Sequence, residues 1–155
     1  MQEARVQEAS TQDLATRVWF RFIRLESRIA AAVAEGLRAI NLSVPQCDVL
    51  TTLSEAEGVS QQTLAQRLYV TKGNISGLLD RLEAAGLVER RSTAADRRAH
   101  EIHLTPAGRE AAMRAIAIQH DLIRATFGRM AAKDLEALER MLVSARDLFR
   151  ARENA

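Results

Sequence analysis

The chain has one cysteine, two prolines and no apolar run long enough to span a bilayer, and each scarcity excludes a class of protein. A lone Cys47 makes no intrachain disulfide, and the polar start Met1-Gln2-Glu3-Ala4-Arg5 lacks an export segment, so an intracellular, cytoplasmic protein is expected, with no membrane partner. So few prolines in 155 residues, nearly half of them apolar, suit an ordered and largely helical fold, expected to be complete in this length as a single domain over 1–155. Charge of one sign is also scarce: 22 Lys plus Arg against 20 Asp plus Glu leave +2, which by itself is weak support for a nucleic-acid partner. Catalytic constellations are missing too. His100, His103 and His120 form no recognised zinc motif, Cys47 has no sequence-local catalytic partner, and the glycines lack phosphate-loop spacing. No enzyme, metal or cofactor is expected, and all three histidines read as structural or solvated, His103 as a solvated strand residue.

What the chain does have is helical periodicity broken by one short hairpin. From Asp13 to Ile40, Leu14, Val18, Ile23, Leu25, Ile29, Val33 and Leu37 recur as in a long helix that ends near Asn41. Trp19, Phe20 and Phe22 place three of the six aromatics in one turn of it, more than one small intrachain face requires, so they are candidates to meet a partner subunit or line a cavity. Ser43-Val44-Pro45 caps a second helix that carries Val49, Leu50 and Leu53 to Glu55, where Glu57-Gly58 breaks it. Ser60 caps a helix over Gln61–Leu68, Tyr69-Val70 turns, and Thr71 caps a helix that runs to Ala85 and stops at Gly86. Glu89–Arg91 and Glu101–Leu104 then pair as two strands around the polar loop Ser92–Ala99, which makes a wing. Thr105-Pro106 starts another long helix, and after a break near Gly128 the chain closes with a helix over Lys133–Phe149. The expected fold class is mainly α with a small β-wing: a winged helix-turn-helix over 45–104 between long terminal dimerisation helices over 11–40 and 107–151.

Two helices and a wing in this order are how such a module reads duplex DNA. From Arg67 to Arg98 there are seven basic residues against four acidic ones, a modest excess concentrated toward the C-terminal end. In the helix from Thr71, the residues Ile75, Leu78, Leu79 and Leu82 form the packing stripe, which leaves Thr71, Lys72, Asn74 and Ser76 to face base edges and phosphate. Arg81, farther along, suits a backbone contact or an ion pair. Gly73 and Gly77 each cost roughly 1 kcal/mol in a helix relative to alanine, a cost explained by close approach to DNA, by helix crossing, or by simple tolerance. In the wing, Arg97 suits the minor groove and Asp96 suits orienting an arginine, while Arg90, Arg91 and Arg98 suit phosphate contacts or structural support. Taken alone, such a loop also reads as a charged hairpin facing water. Cys47 reads either as a small core residue or, because helix amides can lower a thiol pKa, as a redox sensor.

Leu64-Ala65-Gln66-Arg67-Leu68, Val70-Thr71-Lys72-Gly73-Asn74-Ile75-Ser76, Leu82-Glu83-Ala84-Ala85-Gly86-Leu87-Val88-Glu89-Arg90 and Asp96-Arg97-Arg98, followed by Leu104-Thr105-Pro106-Ala107-Gly108, together resemble the MarR family of bacterial transcription regulators. Any one piece is common, but the order and spacing are specific. The resemblance implies a triangular homodimer, joined by its terminal helices, whose two winged domains enter successive major grooves of a pseudo-palindromic promoter site. It also implies a repressor released by a small aromatic or phenolic ligand held between the dimerisation helices and the DNA reader, where Trp19, Phe22 and the region of Cys47 can contribute. Oxidant-sensing relatives carry their cysteine in the first helix beside tyrosines, a pattern from which Cys47 and the single Tyr69 depart, and the zinc sites of other relatives have no counterpart here. The alternatives are a thiol-redox regulator working through Cys47 and a dimeric interaction module that has lost DNA binding.

Overall fold

The first helix outruns its apolar periodicity. In the computed structural model, which describes residues 2–92 and 100–153 with side chains over 11–92 and 100–152, α1 spans Gln2–Arg38. It begins well before Asp13 because the polar residues ahead of Asp13 include many strong helix formers. Asn41 at φ +57° ends it: the N–H groups of Asn41 and Leu42 close back on the carbonyls of Arg38 and Leu37. Ser43 and Gln46 then form a reciprocal capping box at the start of α2, Val44–Glu55, with Pro45 in its first turn.

The chain next forms β1 (Val59–Ser60), α3 (Gln61–Arg67), α4 (Lys72–Ala84), β2 (Val88–Ser92) and β3 (His100–Leu104). The three strands are antiparallel in the order β1-β3-β2, with Val59 opposite Ile102 and Arg90 also opposite Ile102. Strands β2 and β3 extend the expected hairpin by a residue or more. Strand β1 was not expected at all: two residues are too few to display a period of two. After α5 (Pro106–Ala125) come a 3-10 turn at Phe127–Arg129 and α6 (Ala132–Glu153). The chain divides into two compact units, residues 1–118 and 119–155.

The core lies in the first unit. Leu37 from α1, Cys47, Val49, Leu50 and Leu53 from α2, Leu64 from α3, Ile75, Leu79 and Leu82 from α4, and Ile102 and Leu104 from β3 are almost completely buried, and among the described residues no buried side chain is polar or charged. Each large side chain here stabilises the fold by roughly 1.5–3 kcal/mol. In the second unit, by contrast, Met141, Leu142, Val143, Leu148 and Phe149 of α6 are exposed.

Two polar junctions hold the wing. At the first, Gly86 takes φ +70°, and its N–H and that of Leu87 close α4 on the carbonyls of Glu83 and Leu82. The Thr105 hydroxyl donates to the Gly86 carbonyl at 2.6 Å and accepts from the Gly108 N–H at 3.0 Å, while the Thr105 N–H donates to the Leu87 carbonyl. One threonine thus caps α5 and ties it to the end of α4. At the second, Glu57 pairs with Arg109, accepts the Leu104 N–H at 3.3 Å and faces His103 Nδ1 at 3.5 Å, with Glu101 3.3 Å from the other ring nitrogen. His103 is therefore not the solvated strand residue expected from alternation. Its side chain is only 17 % exposed, because Glu57 and Gly58 in the loop before β1, with Glu101 of β3 itself, lie against its ring.

Gly108 packs so closely against the backbone of Leu87, the residue before β2, that a Cβ on it would overlap the Leu87 carbonyl oxygen. Overpacking against backbone costs about 1–3 kcal/mol or more, so Gly108→Ala is expected to lower the thermal midpoint by several degrees. A midpoint within about 2 °C of wild type would contradict this packing.

Candidate nucleic-acid interface

Helix α4 has one face that can be buried. Ile75, Leu78, Leu79 and Leu82, spaced at three and four residues, are buried against the core and fix the rotation of the helix about its axis. Thr71, Lys72, Gly73 and Asn74 consequently lie exposed at its first turn, Ser76 is half-buried, and Arg81 is exposed farther along. Thr71 is the N-cap: its hydroxyl accepts the Asn74 N–H at 3.3 Å. No acidic residue occupies this first turn, so the positive end of the helix dipole and the Lys72 ammonium act in the same direction.

Among the described residues the two glycines of α4 serve no packing. A Cβ on Gly73 would meet nothing within 4 Å, and one on Gly77 would meet only Arg81 Nη1, at 3.8 Å. Helix crossing, one of the explanations the sequence allowed, is thereby removed. Close approach of an external surface and plain tolerance remain.

The basic residues of the wing divide by their partners. Arg90, half-buried, reaches Asp80 at 2.5 Å and pairs with Glu83, whose Oε1 also accepts the Arg90 N–H at 3.2 Å. Partial burial opposes its charge, but the hydrogen bond to Asp80 and the field and hydrogen bond of Glu83 outweigh it and raise the guanidinium pKa above its ordinary value. Of the two roles open to Arg90, the geometry fits structural support, since it joins β2 to α4. Arg91 is exposed and donates from Nε to Glu89 at 2.8 Å. Asp96, Arg97 and Arg98 lie outside the described residues.

The proposed effector-pocket residues do not share one environment. Trp19 and Phe22 are each 49 % exposed on α1, within a run of exposed apolar side chains. Cys47 is fully buried in the core beside α1's Leu37, and Trp19 lies about 27 Å along the helix from Leu37 at 1.5 Å per residue. Within one chain these three side chains therefore do not line a common cavity. The suggestion that helix amides lower the Cys47 thiol pKa is also corrected: burial, and then the Asp48 carboxylate, push it up to about 11. Cys47, Leu50 and Leu53 lie on one stripe of α2, and that stripe turns the thiol inward. Among the described residues no group of three His, Cys, Asp or Glu side chains is placed to hold a metal ion, and no helix is long and apolar enough to cross a membrane.

Residues 40–99 match the family model described as "MarR family". An uncharacterized HTH-type transcriptional regulator of Bacillus cereus is 33% identical over 99 residues, a match that spans 64% of this chain and 65% of that protein. The transcriptional regulator HosA of Escherichia coli is 31% identical over 96 residues, 62% of this chain and 71% of its own length. Among solved structures, CouR from Rhodococcus jostii RHA1, bound to p-coumaroyl-CoA, is 29% identical with a TM-score of 0.74, covering 85% of this chain and 93% of that one. The transcriptional repressor CouR bound to a 23-mer DNA duplex aligns at 25% identity over 86% of this chain and 95% of that one, with a TM-score of 0.73. With a three-stranded wing behind two consecutive helices, and with these matches, the chain belongs to the MarR family of winged helix-turn-helix transcription regulators.

Proposed function

We propose that this protein is a sequence-specific DNA-binding transcriptional regulator, working as a homodimer on a pseudo-palindromic promoter site and acting as a repressor that a small aromatic or phenolic ligand releases. The observation that carries the reading is the bare first turn of α4, where Thr71, Lys72 and Asn74 stand exposed at the amide end of a helix whose opposite face is locked into the core. A helix end of this kind fits the major groove, with amides and Lys72 toward phosphate and the short side chains of Asn74 and Ser76 toward base edges. Arg81 and Arg91 serve as backbone contacts, Arg97 as the minor-groove anchor, Asp96 as its orienting carboxylate and Arg98 as a phosphate contact; Arg90 holds the wing to α4.

A homodimer is supported by α1, where eight large apolar side chains from Leu14 to Ile29 are between 37 % and 56 % exposed. Five of the eight, Leu14, Val18, Phe22, Leu25 and Ile29, share one helix face, and so much exposed apolar surface on one face is a surface for a partner, a second copy being the commonest one. CouR, solved both on DNA and with p-coumaroyl-CoA, supports release by an aromatic ligand, and Trp19, Phe20 and Phe22 offer aromatic surface for one. Regulation is then a population shift: a ligand that binds better to a dimer with unsuitable reader spacing lowers DNA affinity by its differential affinity for that state.

A duplex selected by the wild-type protein from a random pool is expected to bind more tightly than random DNA, with affinity falling steeply as salt rises. Lys72→Ala is expected to weaken binding to both kinds of duplex and to reduce the salt slope by about 1. Equal affinity of the wild type for selected and random duplex would defeat sequence-specific regulation, and no measurable affinity for either would leave the interaction module that has lost DNA binding.

The thiol-redox alternative is opposed by the buried Cys47. A thiol raised from 9.0 to about 11 keeps its proton in the fold at pH values where the unfolded chain has lost it, so fold stability is lost as pH rises from 9 toward 11. At pH 8 a disulfide reagent is expected to label Cys47 far more slowly in the native protein than in denaturant, and Cys47→Ser is expected to retain operator binding. Fast native labelling, with DNA release that depends on Cys47, would reinstate the redox reading.

A further inference from the structure

Helices α1, α3 and α4 all end in the same hydrogen-bonded turn, which needs one residue with positive φ. At the ends of α1 and α4 that residue is Asn41 or Gly86, the types that take this conformation readily. At the end of α3 it is Tyr69, at φ +53°, with its N–H donated to the Gln66 carbonyl at 3.3 Å and the Val70 N–H donated to the Ala65 carbonyl at 3.0 Å. A bulky aromatic residue is strained in this conformation. Packing offers no compensation, because Tyr69 is 88 % exposed, more than any other large apolar or aromatic side chain among the described residues.

The ring stands at the rim of a groove of about 510 Å³ on the corner between α3 and α4, lined also by Gln61, Gln62, Gln66 and Lys72. Among the described residues no acidic side chain lines it. Its polar wall therefore offers three amides, an ammonium and a phenol hydroxyl, a set of donors for an anion. Because Lys72 also belongs to the exposed turn of α4, the corner is continuous with the surface assigned to the major groove.

We propose that Tyr69 is a DNA-backbone contact, its hydroxyl donating to a phosphodiester oxygen that lies over the groove beside Lys72. The contact rests on the DNA-binding reading above and extends the interface from α4 onto the helix-turn-helix corner. Being neutral, the phenol releases no counterion and reads no base edge. Its loss therefore weakens all duplexes alike and leaves the salt dependence unchanged, which separates it from Lys72.

The test measures affinity for the duplex selected by the wild-type protein and for a random duplex, across a salt series, with Tyr69→Phe and Tyr69→Gly. Tyr69→Phe keeps the ring and the backbone conformation, and is expected to bind both duplexes about fivefold more weakly with an unchanged salt slope and an unchanged thermal midpoint. Tyr69→Gly, which fits the turn without strain, is expected to bind at least as weakly as Tyr69→Phe while remaining fully folded. Wild-type affinity in Tyr69→Phe would overturn the hydroxyl contact whatever Tyr69→Gly does, and so would a loss confined to one base pair of the selected duplex. If the wild-type protein itself prefers no selected duplex, the DNA-binding reading fails first and the contact with it.

Discussion

The burial of one stripe of α4 governs the rest of the structure. Ile75, Leu78, Leu79 and Leu82 can be removed from water only if α4 lies against the core in a single rotation, and that rotation decides which residues remain outside. Lys72, Asn74 and the two glycines are presented outward as a consequence of hydrophobic packing rather than through contacts of their own. The outward face is thus held by the core behind it, the face that the proposed function assigns to DNA.

The junctions extend this rigidity to the wing. Thr105 fastens the start of α5 to the end of α4, Gly108 admits Leu87 at backbone distance, and Arg90 pins β2 to Asp80 and Glu83. Arginine is suited to the last role, since its planar fork can hold two carboxylates at once. On the other edge, Glu57 gathers Arg109, His103 and the Leu104 N–H, so the short strand β1 and the loop ahead of it brace β3. Strands β2 and β3 are thus pinned to α4 on one edge and braced by Glu57 on the other, which fixes them relative to a helix whose rotation is itself fixed.

Much of this was legible in the sequence, because helical elements announce themselves locally. Apolar spacing, the Ser43, Ser60 and Thr71 caps and the Asn41 and Gly86 stops lie within a few residues of what they control. What stayed hidden is non-local or too short to be periodic. Strand β1 has two residues, and Glu57 meets Leu104 across 47 residues of chain. For Arg90 the sequence leaves phosphate contact and structural support both open, because its partners sit seven and ten residues away on another element. Cys47 was legible in one of its two readings: the stripe it shares with Leu50 and Leu53 turns the thiol inward, which fits the small core residue and not the amide-activated thiol. Tyr69 could be placed in the turn, but the turn's demand for positive φ, and so the anomaly of finding a tyrosine there, emerges only from the backbone.

The central claim is that the outward face of α4 is shaped for a duplex and not for this chain. Gly77 tests it most directly, because among the described residues a methyl group there touches only the far end of Arg81. In Gly77→Ala, thermal stability and affinity for the selected duplex measured on the same protein should move in opposite directions: the fold gains about 0.5–1 kcal/mol and DNA affinity falls. A variant that is more stable and binds the duplex as tightly as wild type would contradict the claim, because the glycine would then be mere tolerance and this stretch of α4 would not approach DNA closely.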